Sequence, residues 1–190
     1  GLTVTTSDDD VRLNGGATLG SDVTVTTGAG VDGTITFSDN TPIDSVAGET
    51  NDLLLTAGTG DISINANVGA DDPTSGTGTR LGQLTVADTE GTLTIGRDAA
   101  ADTDQGVVEQ INTDEAMDLG QGTLDTDEVL TEIVLNGGVN GLTVTTSDDD
   151  VRLNGGATLG SDVTVTTGAG VDGTITFSDN TPIDSVAGET

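Results

Sequence analysis

Apolar and polar residues alternate with a period of two in short runs along the chain: Leu2-Thr3-Val4-Thr5, Val23-Thr24-Val25-Thr26, Thr34-Ile35-Thr36-Phe37, Ile62-Ser63-Ile64-Asn65, Leu84-Thr85-Val86 and Thr92-Leu93-Thr94-Ile95. Such alternation marks a strand with one buried face, Leu, Val, Ile and Phe pointing inward and Thr, Ser and Asp outward. β-Branched Thr suits the exposed positions. No segment carries a helical stripe: the best stretch, Val107 to Leu119, is flanked by Gly and its acids have no basic partners.

The strands come in pairs. First strands begin at Leu2, Val23, Leu53, Leu84, Val107 and Leu142, and second strands at Val11, Ile35, Ile62, Leu93 and Met117. Gly and Asp corners separate them, at Ser7 to Asp10, Gly28 to Gly30, Gly58 to Gly60 and Thr89 to Gly91; these residues tolerate the backbone conformations of a tight corner. Segments of variable length follow, such as Asp71 to Gly76 and Asp98 to Gly106.

Residues 1–50 and 141–190 are identical, so the period is 140 residues: 1–140 form one complete repeat and 141–190 open the next. Both ends fall beside strand-like runs without the polar caps of a finished solenoid, and the sequence is expected to continue on either side as an array. A single pair of strands cannot bury its apolar face alone, whereas stacked coils form a continuous column. The expected fold is therefore all-β, a right-handed parallel β-helix (β-solenoid). It would have about five coils per repeat, or six if the extra strand Glu132 to Gly137 forms its own. The competing fold is a string of antiparallel sandwich domains. Those seat aromatics in their cores, and the only aromatics here are Phe37 and Phe177.

Composition narrows the functions. The chain has 33 acids against four Arg, no Lys or His, and a formal charge of −29. Nucleic-acid binding, which neutralises phosphates with basic residues, is excluded as an expectation, as is docking on an anionic membrane. No run approaches the roughly 18 apolar residues of a membrane span. Acidity with few aromatics also accompanies disorder, but the regular placing of Val, Ile, Leu and Thr argues for a fold. Without Cys there are no disulfides or thiolate metal sites.

The run Asp52 to Gly69, followed by Leu81 to Val86, resembles the coils of giant filamentous-haemagglutinin-like surface proteins of bacteria. Val11 to Gly16 and Ile133 to Gly138 echo their Leu-Asn-Gly-Gly strands. The resemblance covers about two thirds of the repeat and fades between Asp98 and Thr131. It implies a right-handed parallel β-helix, export, and a role as adhesin or surface fibre, and it brings no catalytic residues.

Nucleophilic catalysis lacks its parts, since no His, Cys or Lys can activate a Ser or Thr. Carboxylate pairs of the kind that cleave glycans arise by chance among so many acids. Cations are the stronger candidates. Ca²⁺ takes oxygen ligands, and Asp8, Asp9 and Asp10 place three carboxylates in one corner. Thr27 to Asp32 partly matches a calcium-roll motif, which makes Asp32 the fourth candidate ligand. The competing reading is solvated acidic turns. Thr-x-Thr pairs such as Thr24/Thr26 and Thr92/Thr94 would suit an ice-binding ladder, but Leu54 and Asp61 interrupt it.

The expected function is structural: a spacer or filament segment outside the cell, partnered by copies of itself along or beside the fibre and by divalent cations, with no enzyme activity. The alternative is an adhesin module that binds glycan or a receptor on a side face.

Overall fold

A computed structural model describes residues 1–28, 33–38, 42–69, 79–96, 110–113, 116–121, 130–168, 173–178 and 182–186. They form eighteen strands. The first nine are β1 (Leu2–Thr5), β2 (Val11–Asn14), β3 (Ala17–Leu19), β4 (Val23–Thr26), β5 (Ile35–Ser38), β6 (Ile43–Ser45), β7 (Leu53–Thr56), β8 (Ile62–Ile64) and β9 (Leu84–Ala87). The remainder are β10 (Thr92–Gly96), β11 (Gln110–Thr113), β12 (Met117–Gln121), β13 (Leu130–Asn136), β14 (Leu142–Thr146), β15 (Val151–Leu159), β16 (Val163–Thr166), β17 (Ile175–Ser178) and β18 (Ile183–Ser185). One 3₁₀ turn, Gly138–Asn140, is the only helical element among the described residues.

Every strand pairing among them is parallel. This excludes the antiparallel sandwich. The pairings form three ladders, which the chain visits in rotation. The first ladder stacks β1, β4, β7, β9, β12, the start of β15 and β17. The second stacks β2, β5, β8, β10, β13, the end of β15 and β18. The third stacks β3 on β6, passes through single bridges at Val68, and continues with β11, β14 and β16. Because β15 runs unbroken from the first ladder to the second, those two make one curled thirteen-stranded sheet.

Register follows from the alternation. Leu2, Val23, Leu53 and Leu84 stand in one column of the first ladder; Val11, Ile35, Ile62, Leu93 and Ile133 stand in one column of the second. Apart from Leu2, which is exposed at the open end, these columns belong to a single apolar core that reaches from Val11 to Leu153 and leaves the last strands, with Ile175, Phe177 and Ile183, exposed. A one-residue slip would turn every inward side chain to solvent, so the pattern fixes the register strongly.

Two assignments read from the sequence are corrected. Met117 is on the first ladder, paired with Leu84, not a second strand. Leu142 is on the third ladder, paired through its strand with Gln110–Thr113, not a first strand. The cause is the third side. Its early members are the three-residue strands β3 and β6 and the lone bridge at Val68. Such pieces are too short to register as alternation and were absorbed into the variable segments. Val107, the other expected first strand, lies outside the described residues. The strand expected over Glu132 to Gly137 is present as β13.

The corner between the first and second ladders has its own stack. Gly33, Gly60 and Gly91 each stand two residues before an inward residue of the second ladder, Ile35, Ile62 and Leu93. A Cβ on Gly60 would run into the carbonyl oxygen of Gly33, and one on Gly91 into that of Gly60. Glycine is needed here because backbone lies on backbone, not because of an unusual φ.

Candidate functional site

The acidic corners carry the most distinctive side-chain chemistry. Asp10 stands immediately before β2, and its Oδ1 accepts hydrogen bonds from the Thr34 backbone N–H (2.8 Å) and the Thr34 hydroxyl (2.9 Å), immediately before β5. The backbone bond, then the hydroxyl bond, holds the Asp10 carboxyl below its ordinary range. The same arrangement recurs in the second block, where Asp150 Oδ1 accepts from Thr174 N–H (2.8 Å) and Oγ1 (2.7 Å). There the hydroxyl bond is the larger cause of the lowered pKa.

This device extends beyond the repeat's duplicated block. Asp22 Oδ1 accepts from Asp52 N–H at 3.1 Å, and Asp52 Oδ1 from Gln83 N–H at 2.8 Å. Asp61 Oδ1 accepts from Thr92 N–H at 2.8 Å, and Asn67 Oδ1 from Gln110 N–H at 3.4 Å. In each case a side-chain oxygen placed just before one ladder member takes the N–H at, or just before, the start of the next member of the same ladder. Charge-assisted bonds of this type are among the stronger ones. Five acids that composition alone presents as solvated, Asp10, Asp22, Asp52, Asp61 and Asp150, are thus clips between neighbouring strands. A sequence signal for them exists: Asp or Asn directly precedes the inward Val, Leu or Ile at 10, 22, 52, 61, 67 and 150.

Of the four candidate cation ligands, Asp8, Asp9 and Asp10 share one exposed corner and Asp32 lies outside the described residues. Asp8 takes a left-handed backbone (φ 63°), and its N–H donates to Thr27 O at 2.9 Å. The Thr6 hydroxyl donates to the Asp9 carbonyl at 2.5 Å. The corner is therefore built by backbone bonds, and one Asp10 oxygen is committed to Thr34. Among the described residues, no three acidic side chains converge as a group that could hold a metal ion.

A shallow groove of about 300 Å³ lies on the outer side of the first ladder, lined by Asp22, Val23, Thr24, Asp52, Leu53, Leu54, Gln83 and Thr85. Leu54 points outward between Thr24 and Thr85, as the interrupted Thr pattern requires. The groove's size is at the lower end for small-molecule sites, and its two acids, Asp22 and Asp52, already hold backbone N–H groups.

One ion pair links strands across the junction between repeats. Arg152 Nη1 lies 3.6 Å from Asp118 Oδ2, while Asp118 Oδ1 is buried without a hydrogen-bond partner. Desolvation raises the Asp118 pKa, and the opposing pull of Arg152 does not cancel it.

Compared with known proteins, the chain matches no family model, no curated protein and no solved structure. The likeness to filamentous-haemagglutinin-like coils rests on the cadence of the sequence alone.

Proposed function

We propose that this chain is a structural segment of a long extracellular fibre or stalk, a right-handed β-solenoid that sets length and stiffness. The observation that supports this reading is the continuity of the ladders where one repeat meets the next. β11 pairs with β14, β12 with the start of β15 and β13 with its end, all in parallel register. Repeat joins repeat through the same kind of interface that holds one repeat together, as a column requires and a string of separate domains does not. Inward Leu, Val and Ile supply the cohesion, the corner carboxylates clip neighbouring strands, and the acidic exterior discourages lateral fusion.

Four tandem copies of the 140-residue repeat should image as a uniform rod that lengthens by a constant step with each added copy. A beaded chain with flexible joints would refute the proposal. The second reading, an adhesin module for glycan or a receptor, draws on the groove beside Leu54; saturable ligand binding abolished by Leu54→Asp would favour it.

A further inference from the structure

The two identical 50-residue blocks occupy different faces. β1 belongs to the first ladder, and its copy β14 to the third. β2 belongs to the second ladder, and its copy, Val151 to Asn154, to the first. β3 belongs to the third, and its copy, Ala157 to Leu159, to the second. β4, β5 and β6 are displaced in the same sense to β16, β17 and β18. Within each block the pairing is unchanged: Leu2 with Val23 becomes Leu142 with Val163, and Val11 with Ile35 becomes Val151 with Ile175. The block keeps its own geometry and is turned as a unit by one face.

We infer that the 140-residue repeat is not a whole number of turns, so that successive identical repeats are rotated by one third of a turn about the column. This rests on the solenoid reading above. Passing from β1 to β14 the chain takes fourteen ladder positions, counting Val68 as one. Fourteen positions on three faces are four and two-thirds turns. The count is taken over the described residues, in which successive members of each ladder are directly paired. At about 4.8 Å per turn one repeat advances about 22 Å, and the same residues return to the same face only after three repeats, about 67 Å.

This geometry governs what the column can present to a partner. The exposed cluster Arg12, Asn14 and Ser38, joined by hydrogen bonds from Arg12 Nε, lies on the second ladder. Its counterpart Arg152, Asn154 and Ser178 lies on the first, where Asn154 is buried against Gly120 and the Arg152 side chain stays 40% exposed. Each repeat carries its motif to a new side. A flat surface laid along the column meets a given motif once in three repeats, whereas partners distributed around the column meet one in every repeat.

The chain contains no Cys, so engineered pairs report the phase directly. Asp118 and Arg152 are register partners across the repeat junction. A whole-number repeat would instead set Thr143, the counterpart of Thr3, beside Asp118. Neighbouring strands lie about 4.8 Å apart, within the roughly 4.4–6.8 Å that a disulfide spans. Under mild oxidation the pair Asp118→Cys/Arg152→Cys should close as completely as a control within the repeat, Thr24→Cys/Leu54→Cys, and the pair Asp118→Cys/Thr143→Cys should stay open. Closure of the 118/143 pair, or of neither junction pair while the control closes, overturns the rotation and leaves the column standing. Failure of the control as well overturns the stacked column and the inference with it.

Discussion

The duplicated block provides a matched pair of substitutions, Phe37→Ala and Phe177→Ala, in which residue and local sequence are the same and only the stack differs. Phe37 has Leu13 on one side and Ile64 on the other, and is 3% exposed. Phe177 has Leu153 on one side and no described strand on the other, and is 47% exposed. Truncating a fully buried Phe costs about 3–5 kcal/mol, through lost transfer energy and the cavity left behind. At Phe177 about half of the transfer term is already forfeited and an open edge encloses no cavity. Half of the roughly 1.5–3 kcal/mol for full burial leaves about 1 kcal/mol. The two variants should therefore differ by about 2–4 kcal/mol. At about 2–4 °C per kcal/mol for a chain of this size, the gap in melting temperature is roughly 4–16 °C. Urea unfolding followed by far-ultraviolet circular dichroism measures both, with unchanged m-values required for the comparison. Joining a second copy of residues 51–69 after Thr190 supplies the missing neighbour and should raise the cost at Phe177 to that at Phe37. Equal costs in the original chain, or a larger one at Phe177, would refute the stacking account.

The glycine corner predicts that Gly60→Ala costs about 1–3 kcal/mol through overpacking, whereas Gly20→Ala, where a Cβ would meet only Val46 Cγ2 at 3.9 Å, leaves the melting temperature nearly unchanged. Asp118 has a raised pKa in the fold, so it binds its proton more tightly there than in the unfolded chain, and its ionisation opposes folding as pH rises from the ordinary carboxylate range through its folded value. Asp118→Asn should therefore stabilise the protein at pH 7, with the gain vanishing in acid; a loss at pH 7 would show that the Arg152 contact outweighs desolvation. Asp10 and Asp150, lowered by their Thr partners, act oppositely: their contribution is present above the ordinary carboxylate pKa and disappears as pH falls through the folded value. Thr174→Val, which removes the larger cause at Asp150 and leaves the backbone bond, should flatten part of that acid limb when thermal melts are measured against pH. Low salt should lower the melting temperature, since 33 acids repel along the column; at fixed ionic strength a further drop on adding a chelator would mark a specific Ca²⁺ site, and no drop would leave screening alone.

The parallel columns were legible because each ladder's inward residues alternate within runs of four or five, as at Leu2 to Thr5 and Thr92 to Ile95. The third face was not, because Ala17–Leu19, Ile43–Ser45 and Val68 are too brief to show a period. That omission made the repeat look like two-sided coils and gave Met117 and Leu142 the wrong places. At the corners, composition made the acids look like solvated charge. Their bonding role depends on which N–H lies beside them some twenty to thirty residues later, as with Asp10 and Thr34 or Asp52 and Gln83. Pattern within one strand cannot reveal that; the repeated placement of Asp immediately before an inward aliphatic could have.

The rotated second block also says where fold specificity resides. If each face demanded its own side chains, the strand Leu142–Thr146 could not sit on the third ladder while its twin Leu2–Thr5 sits on the first. It does so because a strand's requirements are met by the strands above and below it, not by the face it occupies. Val144 is 4% exposed beneath Ile111, and Val4 is 36% exposed with only Val25 beside it. Neighbour-to-neighbour stability of this kind is the behaviour of a one-dimensional array. In such an array the number of sides per repeat is free of selection for whole turns, provided that each strand finds an apolar partner at matching register. On the inferred count, a repeat of fourteen sides need be no less stable than one of fifteen. What changes is the azimuth at which each motif emerges, which follows from side count alone.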